Sequence, residues 1–283
     1  MGKKSRGKKA PKPKRVPFVA RPFEGMAMEV GIIAMREILP AATAPVTTTE
    51  EYGSTELTLV TLLPNMTAAM RRENGDLLVA VQTVTNSGDA SRDLAALIID
   101  ALELEPGQAM SSAPLPEPGP RLDDVLIDAE LDITLYDDFS YWVDEEERQR
   151  EDIQRAVEQT RSQVVPSAKV EGITGAYWCR MSREFVRWIR TEDEDRVLDA
   201  LARLSAARTL AFEEGAEFKG AFRAQGLMIP VWELPAGAEA EELTEPMAAF
   251  ESVFDKALAA SDPLSPEERR ARSGIVSRQL TLR

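Results

Sequence analysis

The residues best suited to chemistry in this chain are two adjacent carboxylates beside aromatic rings. Asp137 and Asp138 precede Phe139, Tyr141 and Trp142. A carboxylate held against apolar rings is desolvated, which raises its pKa towards the range of a general acid. The same pattern is typical of a turn in which aspartates cap backbone amides and the rings pack. No second reactive motif accompanies the pair, so we favour the structural interpretation.

Histidine is absent and cysteine occurs once, as Cys179. Without imidazole there is no Ser-His-Asp or Cys-His pair, and one cysteine cannot build a zinc cluster. Neither a GxxxxGK[ST] loop nor a GxGxxG turn after a strand is present. We therefore predict no catalytic residue, no metal, no cofactor and no enzyme activity, with a carboxylate-based hydrolase as the weaker alternative. We expect Cys179 to be buried rather than nucleophilic.

Aromatic residues alternate with arginines on two predicted strands, where Trp178 and Trp188 lie near Arg180, Arg187 and Arg190. On an open sheet face such residues could stack nucleobases. Inside a core the rings only fill space. The surrounding chain is acidic and repels phosphate, so the core interpretation is favoured.

The first 23 residues carry nine basic side chains and no acidic one. Removing those nine from the 34 basic residues of the chain leaves 25 against 48 acidic residues. So polar a segment cannot bury enough apolar surface to fold, and we predict that residues 1–23 form a disordered basic arm on an acidic body. The candidate nucleic-acid contacts in this arm are Lys3, Lys4, Arg6, Lys8, Lys9, Lys12, Lys14 and Arg15.

Such an arm indicates a polyanionic partner, namely RNA, the ribosome or DNA. The alternative is a protein partner, in which the acidic body binds a basic client and the protein serves secretion or quality control. A single cysteine suits a reducing compartment, so we expect a cytoplasmic protein. The longest uncharged run, residues 38–49, contains two prolines and is far shorter than the ~20 apolar residues of a membrane helix, so no membrane insertion is expected.

Proline-rich breaks divide the body. We predict a first α+β lobe at residues 24–105, a linker at 106–120, a second α+β lobe at 121–235 and a C-terminal helical segment at 236–283. The expected fold class is α+β, with helices and strands assigned from hydrophobic periodicity. One predicted helix begins at Thr191, where Thr191-x-x-Glu194 fits a capping box.

The two lobes share an order of parts. ILPAATAPV and VVPSAKV each follow a helix and precede two strands and another helix. This order indicates an internal duplication of strand-strand-helix units, or a chance recurrence in two α+β lobes, and both interpretations stay open.

Several segments together carry a resemblance to a known family: KKSRGKKAPKPKRVPFVARPFEG, LPAAT, SGDASRDLAA, GAYWCRM and GAFRAQGLMIPVWELP. In these segments the chain resembles an actinobacterial family of unknown function, whose members are often catalogued as the preprotein translocase SecA. The resemblance spans nearly the whole chain and implies a cytoplasmic protein without an assigned activity. The translocase activity is not implied, because the Walker phosphate loop and the cysteine-rich zinc tail of such a motor are missing.

Overall fold

The computed structural model describes residues 17–83, 86–111, 118–277 and 280–281, and within them the strands form two six-stranded sheets. The strands of the first sheet are β1 (Ala42–Thr47), β2 (Glu56–Val60), β3 (Ala69–Arg71), β4 (Leu77–Ala80), β5 (Ala109–Met110) and β6 (Thr134–Leu135). Those of the second are β7 (Ser167–Lys169), β8 (Ala176–Arg180), β9 (Glu184–Trp188), β10 (Glu217–Ala224), β11 (Leu227–Glu233) and β12 (Leu280–Thr281). The helices are α1 (Glu29–Glu37), α2 (Ala90–Leu102), α3 (Leu122–Val125), α4 (Glu151–Arg161), α5 (Glu194–Ala206), α6 (Thr244–Ala259) and α7 (Pro266–Ser277). The α+β class is confirmed.

The first sheet has the strand order β5-β3-β4-β2-β1-β6. β2 and β4 run parallel, whereas the other neighbours are antiparallel. Side chains alternate between its two faces, as in Leu77 and Val79 against Leu78 and Ala80, and both faces are buried.

β1 contains Pro45, which has no amide to donate to a ladder. The amide of Thr48 bonds to the Thr55 carbonyl, and along an antiparallel ladder only every second residue bonds to the same neighbour. Pro45 is three positions before Thr48, so its nitrogen faces away from β2. On that side β6 pairs only with Ala42 and Thr43, and the proline therefore breaks no hydrogen bond.

The second sheet has the strand order β12-β10-β11-β9-β8-β7. Its strands are antiparallel except for β12, which runs parallel to β10. Turns at Ser182-Arg183 and Gln225-Gly226 join β8 to β9 and β10 to β11, and both positions of the second turn have positive φ.

Helix α1 lies between the two sheets. Ile32, Ile33 and Met35 are fully buried in one apolar cluster that also holds Leu59 of the first sheet and Ile229 of the second. Polar contacts from the second sheet reach the end of the same helix, where Gln225 donates to the Glu37 carboxylate at 2.9 Å and Arg187 donates to the Ile38 carbonyl at 3.4 Å. The two sheets therefore share one core.

The opposite face of each sheet is covered by different elements. On the first sheet, the segment around Phe139, Tyr141 and Val164 packs over Val60 and Leu78. On the second sheet, α5, α6 and α7 enclose an aromatic core. The large buried side chains of that core are Trp178, Trp188, Leu201, Trp232, Phe250, Phe254 and Ile275.

Two predicted boundaries differ from the structure, and a third segment agrees with the prediction. Residues 17–23 belong to the body, because the Val19 amide bonds to the Gly88 carbonyl and Phe23 is fully buried. β5 lies inside the predicted linker and pairs with β3, and β6 lies inside the predicted second lobe but pairs with β1, so the first sheet extends past residue 105. The predicted C-terminal helical segment contains α6 and α7, and both helices pack into the aromatic core of the second sheet.

Two finer predictions also differ from the structure. β2 and β4 are parallel whereas β8 and β9 are antiparallel, so the two strand-strand-helix units do not superpose as a duplication requires. Helix α5 begins after Asp193 rather than Thr191, because the Asp193 carboxylate accepts the Arg196 amide at 3.2 Å.

Candidate functional site

The eight predicted nucleic-acid contacts, from Lys3 to Arg15, lie outside the described residues. Their disorder and their role stay predictions. Arg21, the ninth cation of the predicted arm, lies within the described residues and is held by Glu29. Its Nε and Nη2 donate to the two Glu29 carboxylate oxygens, both at 2.7 Å. This bidentate pair links the segment before α1 to the helix, and the Arg21 charge is already compensated by a carboxylate.

The aspartate and aromatic cluster has the structural role that the sequence favoured. The Asp138 carboxylate accepts the Ser140 amide at 2.9 Å and pairs with Arg161 at 3.3 Å. Phe139 stacks on Trp142 with ring centres 4.4 Å apart. These contacts fix a turn over the first sheet. Asp137 takes no part in them and faces a groove described below.

The aromatic side chains of β8 and β9 are buried, so they offer no stacking platform. Trp178 is 5% exposed and Trp188 is fully buried. Their indole nitrogens donate to the carbonyls of Ala238 and Thr174 at 3.0 and 3.1 Å. The core interpretation of these rings is therefore confirmed.

Cys179 is 2% exposed on β8. Burial raises the pKa of its thiol, an effect that the nearby Arg187 opposes only in part. A thiol that is both buried and protonated is a poor nucleophile, and the expectation of a buried, unreactive cysteine agrees with this environment.

An open groove lies between the free edges of the two sheets. One wall is formed by β6 and its flanks, with Ile133, Leu135 and Asp137. The opposite wall is β7, with Ser167, Ala168 and Lys169. Glu171, Ala240 and Glu241 complete the lining. We call these nine residues the edge groove.

The edge groove has a volume of about 430 Å³, which is within the range of ligand pockets in proteins. Three of its side chains are acidic, Asp137, Glu171 and Glu241, against one basic side chain, Lys169. Within the part of the chain that the structure describes, none of these four side chains forms an ion pair. The groove therefore presents net negative charge to a ligand.

Sequence reasoning missed the edge groove because no local signal marks it. β6 is a two-residue strand that pairs with β1, which lies about 90 positions earlier in the chain, while β7 belongs to the other sheet. LDITLY (residues 131–136) has the composition of a strand, but nothing local indicates that this strand joins the first sheet rather than the lobe in which it was predicted.

Two negative findings apply to the described residues alone. Within 17–83, 86–111 and 118–277, no group of three or more cysteine or carboxylate side chains is arranged to hold a metal ion. Across the same ranges, every helix is too short or too polar to traverse a bilayer.

Two sheets that share a central helix, with an acidic groove between their edges, make the described part of the chain an α+β fold with an open surface groove. The chain belongs to a family of unknown function, DUF5926, whose model matches residues 22–283. No curated protein and no solved structure matches the chain.

Proposed function

We propose that this chain is a non-enzymatic, cytoplasmic binding or accessory protein whose basic N-terminal residues contact nucleic acid or the ribosome. The observation that carries the proposal is the separation of charge, with nine cations and no acid in the first 23 residues and 25 basic against 48 acidic residues afterwards. Lysine and arginine side chains that contact only phosphates do not read bases, so binding is insensitive to sequence and driven by counterion release.

The non-enzymatic part is supported by the roles of the reactive side chains. Asp138 caps a turn, Trp178 and Trp188 fill a core, and Cys179 is a buried thiol. These four side chains are used for packing or capping.

The experiment compares full-length protein with a variant lacking residues 2–16, which leaves the Arg21–Glu29 pair and the described fold in place. Fluorescence anisotropy is recorded with single-stranded RNA and duplex DNA of mixed sequence over a range of salt. For about five phosphates, log affinity falls with log salt at a slope of roughly −3.5 on single strands and −4.5 on duplex. The deletion abolishes binding.

A matched control keeps the composition of residues 2–16 but scrambles their order. It binds as tightly as the native sequence, because only charge density matters. Salt-resistant binding that survives the deletion would contradict the proposal and place the nucleic-acid site in the folded body.

A second candidate function is a protein-interaction factor linked to secretion or quality control. The observation that favours it is the edge groove, whose carboxylates Asp137, Glu171 and Glu241 have no ion-pair partner in the described structure. A basic client would supply the missing charges. Binding of a lysine-rich peptide to the variant lacking residues 2–16 tests it, and equal binding of a glutamate-rich peptide would exclude it.

A further inference from the structure

The outer edge of β7 has free backbone hydrogen-bonding groups. On its inner side the Arg180 amide bonds to the Pro166 carbonyl and the Val170 amide bonds to the Ala176 carbonyl. Hydrogen-bonded pairs alternate along an antiparallel ladder, so Ala168 also faces β8 while Ser167 and Lys169 turn their amides and carbonyls outward. Outward groups of this kind form a template for another strand.

The edge of β6 faces the groove in the same way. The Tyr136 amide bonds to the Ala41 carbonyl, and Thr134 lies opposite Thr43, so Leu135 between them turns its amide and carbonyl away from β1. Within the described part of the chain, no hydrogen bond reaches the backbone of Ser167, Lys169 or Leu135 on these outward sides. Both walls of the edge groove are thus unpaired sheet edges.

The charge of the groove selects the ligand. Asp137 lies on the β6 wall, Glu171 follows β7 and Glu241 completes the lining, whereas Lys169 is the one basic side chain of the groove. An acidic segment would meet like charge on both walls, and an apolar segment would leave three carboxylates uncompensated. A segment with lysine or arginine satisfies them.

We propose that the edge groove binds an extended, lysine- or arginine-containing segment of a partner protein, which adds as a strand to β7. Main-chain hydrogen bonds to Ser167 and Lys169 hold the segment, and its cationic side chains face the groove carboxylates. The inference rests on the second candidate function. It is independent of nucleic-acid contact by residues 2–16, so each can fail without the other.

The test uses full-length protein and an eight-residue peptide in which lysine and valine alternate, with affinity measured by calorimetry. Two control peptides are a form N-methylated at alternate amides, which cannot complete the ladder, and a form with glutamate in place of lysine. We expect the alternating peptide to bind, and each control to bind at least tenfold more weakly. Equal binding of the N-methylated form would overturn strand addition.

A pair of variants at one position isolates the backbone donor. Ser167→Pro removes the outward amide without touching the inner ladder to β8, and Ser167→Ala removes the hydroxyl but keeps the amide. We expect about a tenfold loss of affinity for Ser167→Pro and none for Ser167→Ala, with unchanged melting temperatures. Equal affinity of the two variants would overturn the assignment to β7.

Further variants test the charge and the occupant. Glu171→Gln and Glu241→Gln each weaken peptide binding about two- to fivefold, as expected for exposed pairs, and an unchanged affinity contradicts the charge assignment.

Deleting residues 2–16 leaves the affinity unchanged if the ligand comes from a partner. A tenfold gain on that deletion would show that the basic residues of the same chain occupy the groove. Dimerisation that Ser167→Pro abolishes would show a second copy there, and either result overturns the proposal.

Discussion

The guanidinium carbon of Arg190 lies 4.1 Å from the centre of the Trp188 ring. Arg190 follows β9 and is 8% exposed, so its charge is held largely out of water. Phe254 of α6 covers the same guanidinium at 4.7 Å, and the Arg190 Nε donates to Glu192 at 3.0 Å. Arg190 also pairs with Asp255 of α6 at 3.5 Å, so it joins the second sheet to α6 through both ring and charge contacts.

Replacing Arg190 by alanine should destabilise the protein by about 2–3 kcal/mol, because it removes two ring contacts and leaves the Glu192 carboxylate without its partner. Arg180 is the matched control. It lies 4.9 Å from the Trp178 ring centre, but 38% of its side chain is exposed. Arg180→Ala should cost clearly less than Arg190→Ala, because solvent screens the charge of the exposed guanidinium. Urea unfolding measures both, and equal losses would show that burial of Arg190 adds nothing.

Two glycines with the same backbone conformation provide a test of close packing. Gly172 and Gly175 have φ of +75° and +76°. A Cβ at Gly172 meets nothing within 4 Å, whereas a Cβ at Gly175 lies 2.9 Å from the Ile189 carbonyl oxygen and 3.2 Å from Val30. Gly172→Ala should cost about 1–2 kcal/mol for its left-handed conformation alone. Gly175→Ala should cost a further ~1–3 kcal/mol because Ile189 and α1 must move. Similar melting temperatures for the two variants would contradict this contact.

Tyr177 makes the stability of the protein sensitive to alkaline pH. Burial raises the pKa of its hydroxyl from 10.0 to about 12. A folded-state pKa above the unfolded value contributes stability that is complete below pH 10 and is lost as the pH rises towards 12. The contribution is about 2–3 kcal/mol at most.

Tyr177→Phe should therefore flatten the fall in the free energy of unfolding between pH 10 and 12, with little change at neutral pH. Denaturant titrations at a series of pH values measure the slope. A variant profile parallel to that of the wild type would assign the alkaline loss to other groups, such as Tyr141, whose pKa burial also raises.

Cys179 reports opening of the second sheet. Because the thiol is 2% exposed and burial raises its pKa, alkylation of the native protein should be ~100-fold slower or more than in denaturant. Mass spectrometry of the iodoacetamide adduct over time measures the rate. Labelling at the rate of a free thiol under native conditions would mean that β8 opens readily.

Local patterns predicted most individual elements. The spacing of Met28, Ile32 and Met35 indicates α1, and Asp89 or Ser91 as an N-cap indicates α2, because both signals lie within a few turns of one helix. The β8–β9 hairpin and its buried tryptophans were likewise readable from adjacent residues.

Pairing between distant segments was not readable. β1 was missed because Pro45 argues against a strand, and only the early end of β6 makes the proline acceptable. The parallel pairing of β2 with β4 and the contacts of Tyr177 and Ile229 with the first core depend on the whole chain. The edge groove lies between β6 of the first sheet and β7 of the second, so it could not be predicted from either lobe alone.

The position of α1 between the sheets affects the order in which the protein can fold during synthesis. Most of the residues that cover the first sheet come early, but Ile189, Leu227 and Ile229 of the same core emerge from the ribosome last. Until then the side of α1 that faces the second sheet has no partner and exposes apolar surface. The nascent chain therefore completes its first core only after residue 229 has left the ribosome, and truncation before that residue leaves a species prone to aggregation.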